Sequence, residues 1–441
     1  MSIIHIDGGT PLIGNVKLSG AKNSILKLIP AAMFSNEDIV IDNVPQVTGV
    51  LEYVTLIKSM GARAEWISSN RLILNGSSIN TYEIPYAFGR EYRVVALLAV
   101  PIVYRFGKAI IPQPHTPKGS LSISRWMEAW KSLGLNVEVD DKYIKVESGN
   151  IAAANISFKV STHTGTDNAI ISSLFAPGET TINNAAEEPE VDDLIEFVNM
   201  IGGDVKRIEP RKIRVNGRNV FKGGKFTVQS DKNEAVYFAV QAVLTKGNIT
   251  IQKVDKTHLT SFINVITKMK CKYEVSKDEL RVWSGGEQLE PVTVTTSPAP
   301  GFVTDWQPLM VLLSTQAVGE GLVHDTVYTD RFDHIKDLNR MGAKIELFKP
   351  SEVGMRAVIS DESYDIERFG EPTTVAKITG PSRLKGTKMH LSDPVSATTL
   401  ISAACSAEGR SEISGIETLE ILNENILDKT ADLGAKITLI E

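Results

Sequence analysis

The hydrophobic pattern along the chain changes period in a regular way. Apolar residues at helical spacing close on a glycine, and alternating apolar and polar residues suited to a half-buried strand follow, as in Ala343-Lys344-Ile345-Glu346-Leu347. The junction recurs as Ser59-Met60-Gly61-Ala62, Ser132-Leu133-Gly134-Leu135, Met200-Ile201-Gly202-Gly203, Arg340-Met341-Gly342-Ala343 and Asp432-Leu433-Gly434-Ala435. A degraded copy, Lys268-Met269-Lys270-Cys271, makes six. Glycine just past the last apolar helical residue supplies the left-handed conformation that ends a helix.

A second signature, a helix closing on a turn and then a strand, precedes each copy. It reads Asn36-Glu37-Asp38-Ile39-Val40-Ile41, Phe106-Gly107-Lys108-Ala109-Ile110-Ile111, Pro177-Gly178-Glu179-Thr180-Thr181-Ile182, Lys246-Gly247-Asn248-Ile249-Thr250-Ile251, Glu320-Gly321-Leu322-Val323 and Glu408-Gly409-Arg410-Ser411-Glu412-Ile413. Each unit is helix, strand, helix, strand, with further short strands between units. The clear glycines lie about 70 residues apart, further in the last unit, which is too long for a solenoid repeat and right for a small α+β module. A chain of 441 residues exceeds one hydrophobic core, so six modules distribute as three in each of two domains.

The first helix of each module is predicted to begin at Lys22-Asn23, Tyr92-Arg93, Thr166-Asp167-Asn168, Ser230-Asp231 with Glu234 following, Thr304-Asp305 and Ser392-Asp393. Four of these carry ordinary capping chemistry, worth about 1 kcal/mol each. Capping does not explain Lys22 and Arg93, because a cation beside a helix N-terminus is unfavourable unless an anion accompanies it. A cleft ringed by such helix starts suits a phosphorylated, acidic ligand.

Composition narrows this picture. The chain is 42% hydrophobic and 23% charged, ordinary for a soluble globular protein, and a net charge of −6 without a basic run argues against nucleic acid as the partner. Met-Ser-Ile-Ile-His-Ile-Asp lacks the parts of a signal peptide, and the longest apolar run, Val94–Tyr104, is too short to span a bilayer. A cytoplasmic protein without membrane partners is expected. Cys271 and Cys405 make no disulfide framework, zinc site or CxxC motif and read as structural thiols.

The runs Gly8-Gly9-Thr10-Pro11-Leu12, Leu18-Ser19-Gly20-Ala21-Lys22-Asn23 and Asp42-Asn43-Val44-Pro45 resemble the enolpyruvyl transferase family, which includes EPSP synthase. So do Tyr92-Arg93, Arg105-Phe106-Gly107, Asn184-Ala185-Ala186-Glu187-Glu188-Pro189-Glu190, Pro300-Gly301-Phe302-Val303-Thr304-Asp305-Trp306-Gln307 and Arg331-Phe332. The resemblance implies an α+β fold of two inside-out α/β barrel domains, residues 22–229 and residues 1–21 with 230–441, with the active-site cleft between them. It also implies transfer of the enolpyruvyl group of phosphoenolpyruvate to an acceptor hydroxyl by addition and then loss of phosphate, in a monomer with no metal or organic cofactor.

By the same resemblance Lys22 and Arg93 cradle phosphate and carboxylate. Asn23 and Asp305 hold the acceptor hydroxyl with Asp305 as base, Arg331 is a ligand-side arginine, and Asp231 and Asp393 join the substrate-binding set. The chain also departs from the family. Where family members present Gly-Gly-Cys on a mobile loop, then an arginine and a uridine-contacting Pro-Val-Asp-Leu-His, residues 112–125 read Pro-Gln-Pro-His-Thr-Pro-Lys-Gly-Ser-Leu-Ser-Ile-Ser-Arg. His115 falls at or near the cysteine's place and is the candidate general acid. Lys118 or Arg125 replaces the loop arginine. Val395 and Ile421 stand where the family has arginines.

Three functions are consistent with these residues: transfer to another nucleotide or phosphorylated sugar-like acceptor, a different addition, elimination or dehydration without phosphoenolpyruvate, or metabolite binding without catalysis. Fosfomycin alkylates the family's loop cysteine, so intact-mass spectrometry is expected to find no adduct on this chain; an adduct at His115 contradicts the loop reading.

Overall fold

The computed structural model describes residues 3–91, 93–113, 124–360 and 364–440. The chain divides into two compact units, Gly20–Gln229 and Met1–Ser19 with Ser230–Glu441. Each has its own hydrophobic core.

Among the described residues Gly20–Gln229 contains three small sheets. In the first, Ile39–Asp42 leads through a helix, Thr48–Ser59, to the hairpin of Arg63–Ser68 and Arg71–Asn75, and Gly224–Thr227 adds a parallel edge. The third repeats this with Glu179–Asn183, Pro189–Met200, Asp204–Glu209 and Lys212–Asn216, edged by Asn155–Ser157. In the second, Lys108–Pro112, Asn136–Val139 and Tyr143–Glu147 form the sheet, and a single parallel bridge from Glu83 to Ile110 stands in for the edge strand.

The other unit holds the remaining three. Asn248–Gln252, Lys272–Val275 and Glu279–Trp283 are edged by Ile13–Lys17, and Gly319–His324, Ile345–Phe348 and Val375–Gly380 by Thr293–Thr295. The last module takes its third strand from the start of the chain. Ile3–Asp7 lies antiparallel between Arg410–Ser414 and Lys436–Ile440, with Lys388–His390 at the edge.

A sheet with one apolar face must cover it. Ile39, Ile41, Leu72 and Leu74 are all fully buried, each contributing about 1.5–3 kcal/mol over an exposed side chain. The cover comes from helices enclosed within each unit: α1 (Lys22–Ala32), α2 (Ala99–Phe106) and α3 (His163–Ser173) in one, α4 (Lys232–Leu244), α5 (Gln307–Ser314) and α6 (Pro394–Ser406) in the other. From Ser24 to Ala32 every residue of α1 is buried, as is every residue of α5. Helices lie inside and sheets outside, the inside-out arrangement expected from the sequence. The apolar run Val94–Tyr104 is a 3-10 turn, Arg93–Leu98, continuing into α2. Among the described residues no helix is long and apolar enough to cross a membrane.

The six junctions are structurally equivalent. Gly61, Gly134, Gly202, Gly342 and Gly434 have φ of 94, 85, 105, 106 and 106°, and Lys270 adopts 66° at the degraded copy. Two further places break the repeat. The third core helix begins at His163 with Thr162 as its cap, so Thr166-Asp167-Asn168 lies in the second turn and not at the predicted start. In the fifth module residues 349–374 separate the paired strands, where other modules use tight turns at 69–70, 140–142, 210–211 and 276–278.

Lys270→Gly is expected to stabilise the protein by about 0.5–1 kcal/mol, because relief of the left-handed penalty exceeds the added chain entropy. Gly134→Ala is expected to destabilise by more than about 1 kcal/mol, since its Cβ meets the Asn150 carbonyl oxygen at 2.1 Å as well as the backbone strain. Urea unfolding midpoints of the two variants should move in opposite directions.

Candidate functional site

Lys22 is the first residue of α1, and with Asn23 it is half-buried. Ala21 occupies the cap position and offers no side chain to the first-turn amides, so this buried helix begins without the usual oxygen acceptor. The turn is held from below. Gln229 accepts from the Ala21 N–H at 2.8 Å, its side chain donates to Ser24 Oγ at 3.1 Å, and its own N–H meets Asp193 Oδ2 at 3.4 Å. Burial pushes the Asp193 carboxyl up to about 7 against the hydrogen bonds from Ser24 and Gln229.

One turn further along α1, Lys27 is buried and donates through Nζ to the carbonyl oxygen of Asn23. The same ammonium lies 3.7 Å from Asp167 Oδ2 on α3, and His163 Nε2 lies 3.6 Å from that oxygen. Burial raises Asp167 to about 7; Lys27 opposes this, while the nearby Glu188 and Glu190 add to it. The sequence reading missed this group. Its sequence signal is a charge, Lys27 and Asp167, past the first turn of each of two core helices.

Arg93 opens the 3-10 turn ahead of α2, its guanidinium carbon 5.7 Å from the centroid of the Trp126 ring. Arg125, half-buried, precedes that tryptophan in the helix Ser124–Ser132. His115 and Lys118 lie outside the described residues.

The second unit carries the carboxylates. Asp231 caps α4, its Oδ1 accepting from Asn233 N–H at 2.8 Å, and its own N–H donates to the Ser19 carbonyl at 2.9 Å. Glu234 in the first turn accepts from Ser19 N–H at 2.7 Å and from Lys429 Nζ at 2.5 Å, and Lys429 also reaches Ser19 Oγ at 2.6 Å. Burial still pushes Glu234 up to about 7.

Asp393 caps α6 in the same manner as Asp231, accepting from Ser396 N–H at 2.9 Å and, more weakly, from Val395 N–H at 3.4 Å. Val395 follows within that first turn, and Ile421 ends the 3-10 helix Ile416–Ile421.

Asp305 and Arg331 meet directly. The carboxylate lies in the 3-10 turn Thr304–Trp306 ahead of α5, and Arg331 Nη1 reaches its Oδ1 at 3.0 Å. Asp305 is 39% exposed and Arg331 only 18%, so the acid is open to an incoming group while the guanidinium is packed. Arg331 lies 3.6 Å above the Tyr328 ring. Burial works against its charge, and Asp305, Tyr328, Asp325 and Asp393 outweigh that, so its pKa is raised. His334, three residues further along the chain, is buried, and burial pushes its pKa down to about 4. Cys271 and Cys405 are buried, and burial pushes both thiols up to about 12.

Two units, each with three small sheets packed over enclosed helices, give the inside-out arrangement that the sequence resemblance implies for an enolpyruvyl transferase. The model of the family described as EPSP synthase (3-phosphoshikimate 1-carboxyvinyltransferase) matches residues 6–360, and the chain belongs to that family. It is 32% identical to UDP-N-acetylglucosamine 1-carboxyvinyltransferase 1 of Caldanaerobacter subterraneus subsp. tengcongensis over 98% of both chains. It is 31% identical to the Legionella pneumophila enzyme of the same name over all of this chain and 83% of the other. Among solved structures, the enolpyruvyl transferase NikO from Streptomyces tendae aligns over 99% of this chain and 98% of its own with a TM-score of 0.86 at 20% identity. EPSP synthase from Acinetobacter baumannii aligns over all of both chains with a TM-score of 0.72 at 14% identity, and these two likenesses speak to the fold.

Asp193 binds a proton in the folded state between about pH 4 and 7 that the unfolded chain has released, so its contribution to stability is lost as pH rises through that window. Asp193→Asn, which is neutral and keeps an acceptor oxygen, should make the fall of stability with pH shallower by up to about 1.4 kcal/mol per pH unit there. His334 works in the opposite sense in both proteins, so the difference in urea-unfolding free energy between wild type and variant is the quantity to measure.

Proposed function

We propose that this protein transfers the enolpyruvyl group of phosphoenolpyruvate to a hydroxyl of a nucleotide or phosphorylated sugar-like acceptor other than UDP-N-acetylglucosamine. The observation that carries this reading is the Asp305–Arg331 pair: a half-exposed carboxylate oriented by a packed arginine is equipped to take a proton from an acceptor hydroxyl. Lys22 and Arg93 supply cations for the phosphate and carboxylate of phosphoenolpyruvate, and Asn23 steadies the hydroxyl. The alkoxide adds to the substituted carbon of the enol, and a proton from the loop, with His115 as donor, completes the methyl group. Loss of that methyl proton with departure of phosphate restores the double bond on the acceptor oxygen.

Asp231 and Asp393 act on the acceptor side, and Lys118 or Arg125 takes the place of the family's loop arginine. Residues of both units, Gly20–Gln229 and Met1–Ser19 with Ser230–Glu441, serve the one reaction, in a cytoplasmic monomer that needs no metal or organic cofactor. The divergence from UDP-N-acetylglucosamine rests on the sequence of residues 112–125, where the uridine-contacting stretch is replaced. A second reading is favoured by Val395 and Ile421. Without two arginines, each charge-assisted hydrogen bond being worth about 1.5–3 kcal/mol, the site suits an addition, elimination or dehydration on one phosphorylated substrate.

Phosphate release from phosphoenolpyruvate across a panel of nucleotide and sugar-phosphate acceptors tests the first reading. Turnover with at least one acceptor is expected, falling by about 10²–10⁴-fold in Asp305→Ala. Calorimetry separates the two, because the second reading predicts that phosphoenolpyruvate fails to bind with acceptor present.

A further inference from the structure

Asp325 directly follows the strand Gly319–His324, is fully buried, and has no part in the roles assigned above. Among the described residues no cation pairs with it within salt-bridge distance; its charge is met by four donors instead. Oδ1 accepts from Thr296 Oγ1 at 2.9 Å, from Val327 N–H at 2.9 Å and, at the long limit, from Tyr328 N–H at 3.4 Å. Oδ2 accepts from Thr304 Oγ1 at 2.7 Å.

Three of these donors lie on the segments that present Asp305 and Arg331. Thr304 immediately precedes Asp305, while Val327 and Tyr328 open the turn that leads to Arg331. A threonine hydroxyl has one proton, and Thr304 gives it to Asp325, which leaves its lone pairs toward Arg331 Nη1 at 3.4 Å. Tyr328, whose amide faces the same carboxylate, supplies the ring beneath the guanidinium.

The backbone around Asp325 is fixed independently. Its own N–H donates to the Thr374 carbonyl at 2.9 Å, and Ser360 N–H donates to the Thr326 carbonyl at 2.6 Å. Both partners belong to the 349–374 connection that departs from the repeat, so that connection braces this turn.

We propose that Asp325 is the positioning residue of the Asp305–Arg331 pair, setting the direction of the Thr304 hydroxyl and the Tyr328 turn so that Arg331 meets Asp305 in one geometry. The catalytic consequence rests on the reading of Asp305 as the base; the positioning itself does not. A buried carboxylate that joins two segments through satisfied hydrogen bonds rigidifies both, and about 1 Å of misplacement in a reacting group costs on the order of 100-fold in rate.

Asp325→Asn separates orientation from packing. An amide oxygen still serves Thr296, Val327 and Tyr328, but the amide nitrogen faces Thr304 as a donor and reverses that hydrogen bond. Nitrogen NMR of the full-length, ligand-free protein with labelled arginine reads the guanidinium of Arg331, assigned by its loss in Arg331→Lys. The expected result is slow guanidinium rotation in wild type and Thr304→Ser, and averaged signals in Asp325→Asn and Thr304→Val, with melting temperatures of the Thr304 variants close to wild type.

With any acceptor that turns over, kcat should fall about 10–100-fold in Asp325→Asn and Thr304→Val and recover in Thr304→Ser. Unchanged Arg331 signals in Asp325→Asn and Thr304→Val would overturn the proposal whatever the activity. Averaged signals in a protein that turns over no acceptor would uphold the positioning and count against the reaction instead.

Discussion

A helix enclosed on all sides by sheets cannot hand the amides of its first turn to water, and this constraint organises the protein. Each module's strands offer one apolar face, and three modules share three enclosed helices as the cover for those faces. The enclosed helices carry polar residues along their length as well, such as Lys27 in α1 and Asp167 in α3, but the amides that need partners are those of their first turns. Thr162, Asp231 and Asp393 meet the requirement with capping side chains at α3, α4 and α6. Ala21 at the cap position of α1 offers no such side chain, and Lys22 follows it as the first helical residue.

The cost of enclosure shows in the ionisable groups it traps. Asp167, Asp193 and Glu234 are all driven toward neutrality by burial, yet each is tied to a turn that matters: Asp167 to Lys27 and so to Asn23, Asp193 to Ser24, Glu234 to Ser19. Replacing such groups with apolar side chains would ease desolvation and release those turns. Their presence is consistent with selection for placement of the helix starts at some expense of stability.

The repeat was legible because its mark is local. A left-handed residue after a helix selects glycine within a few positions of its cause, and even Lys270 at the degraded copy proves to share the conformation. The start of α3 was misplaced because Thr166-Asp167 offers the same capping vocabulary as Thr162, and only the burial of Asp167 opposite Lys27 decides between them. Asp325 was invisible for a similar reason, since its partners Thr296 and Thr304 lie far back in the chain and a carboxylate after a strand has no distinctive spacing. Asp231 and Asp393 stood out as helix starts, and both are engaged in capping. Pairings between distant segments leave no periodic trace, whereas turn chemistry does.

The strand Ile3–Asp7 fills the middle of a sheet whose other members begin at residue 388. During synthesis this segment is made long before its neighbours in that sheet. Gly20–Gln229 is continuous and has all its partners by the time residue 229 leaves the ribosome, so it can fold while the chain is still growing. The surrounding unit must wait, its first strand held open through the making of an entire guest domain, and it closes only when Lys436–Ile440 arrives. A chain stalled before that point carries one finished core and one sheet still missing the strand beside Ile3–Asp7.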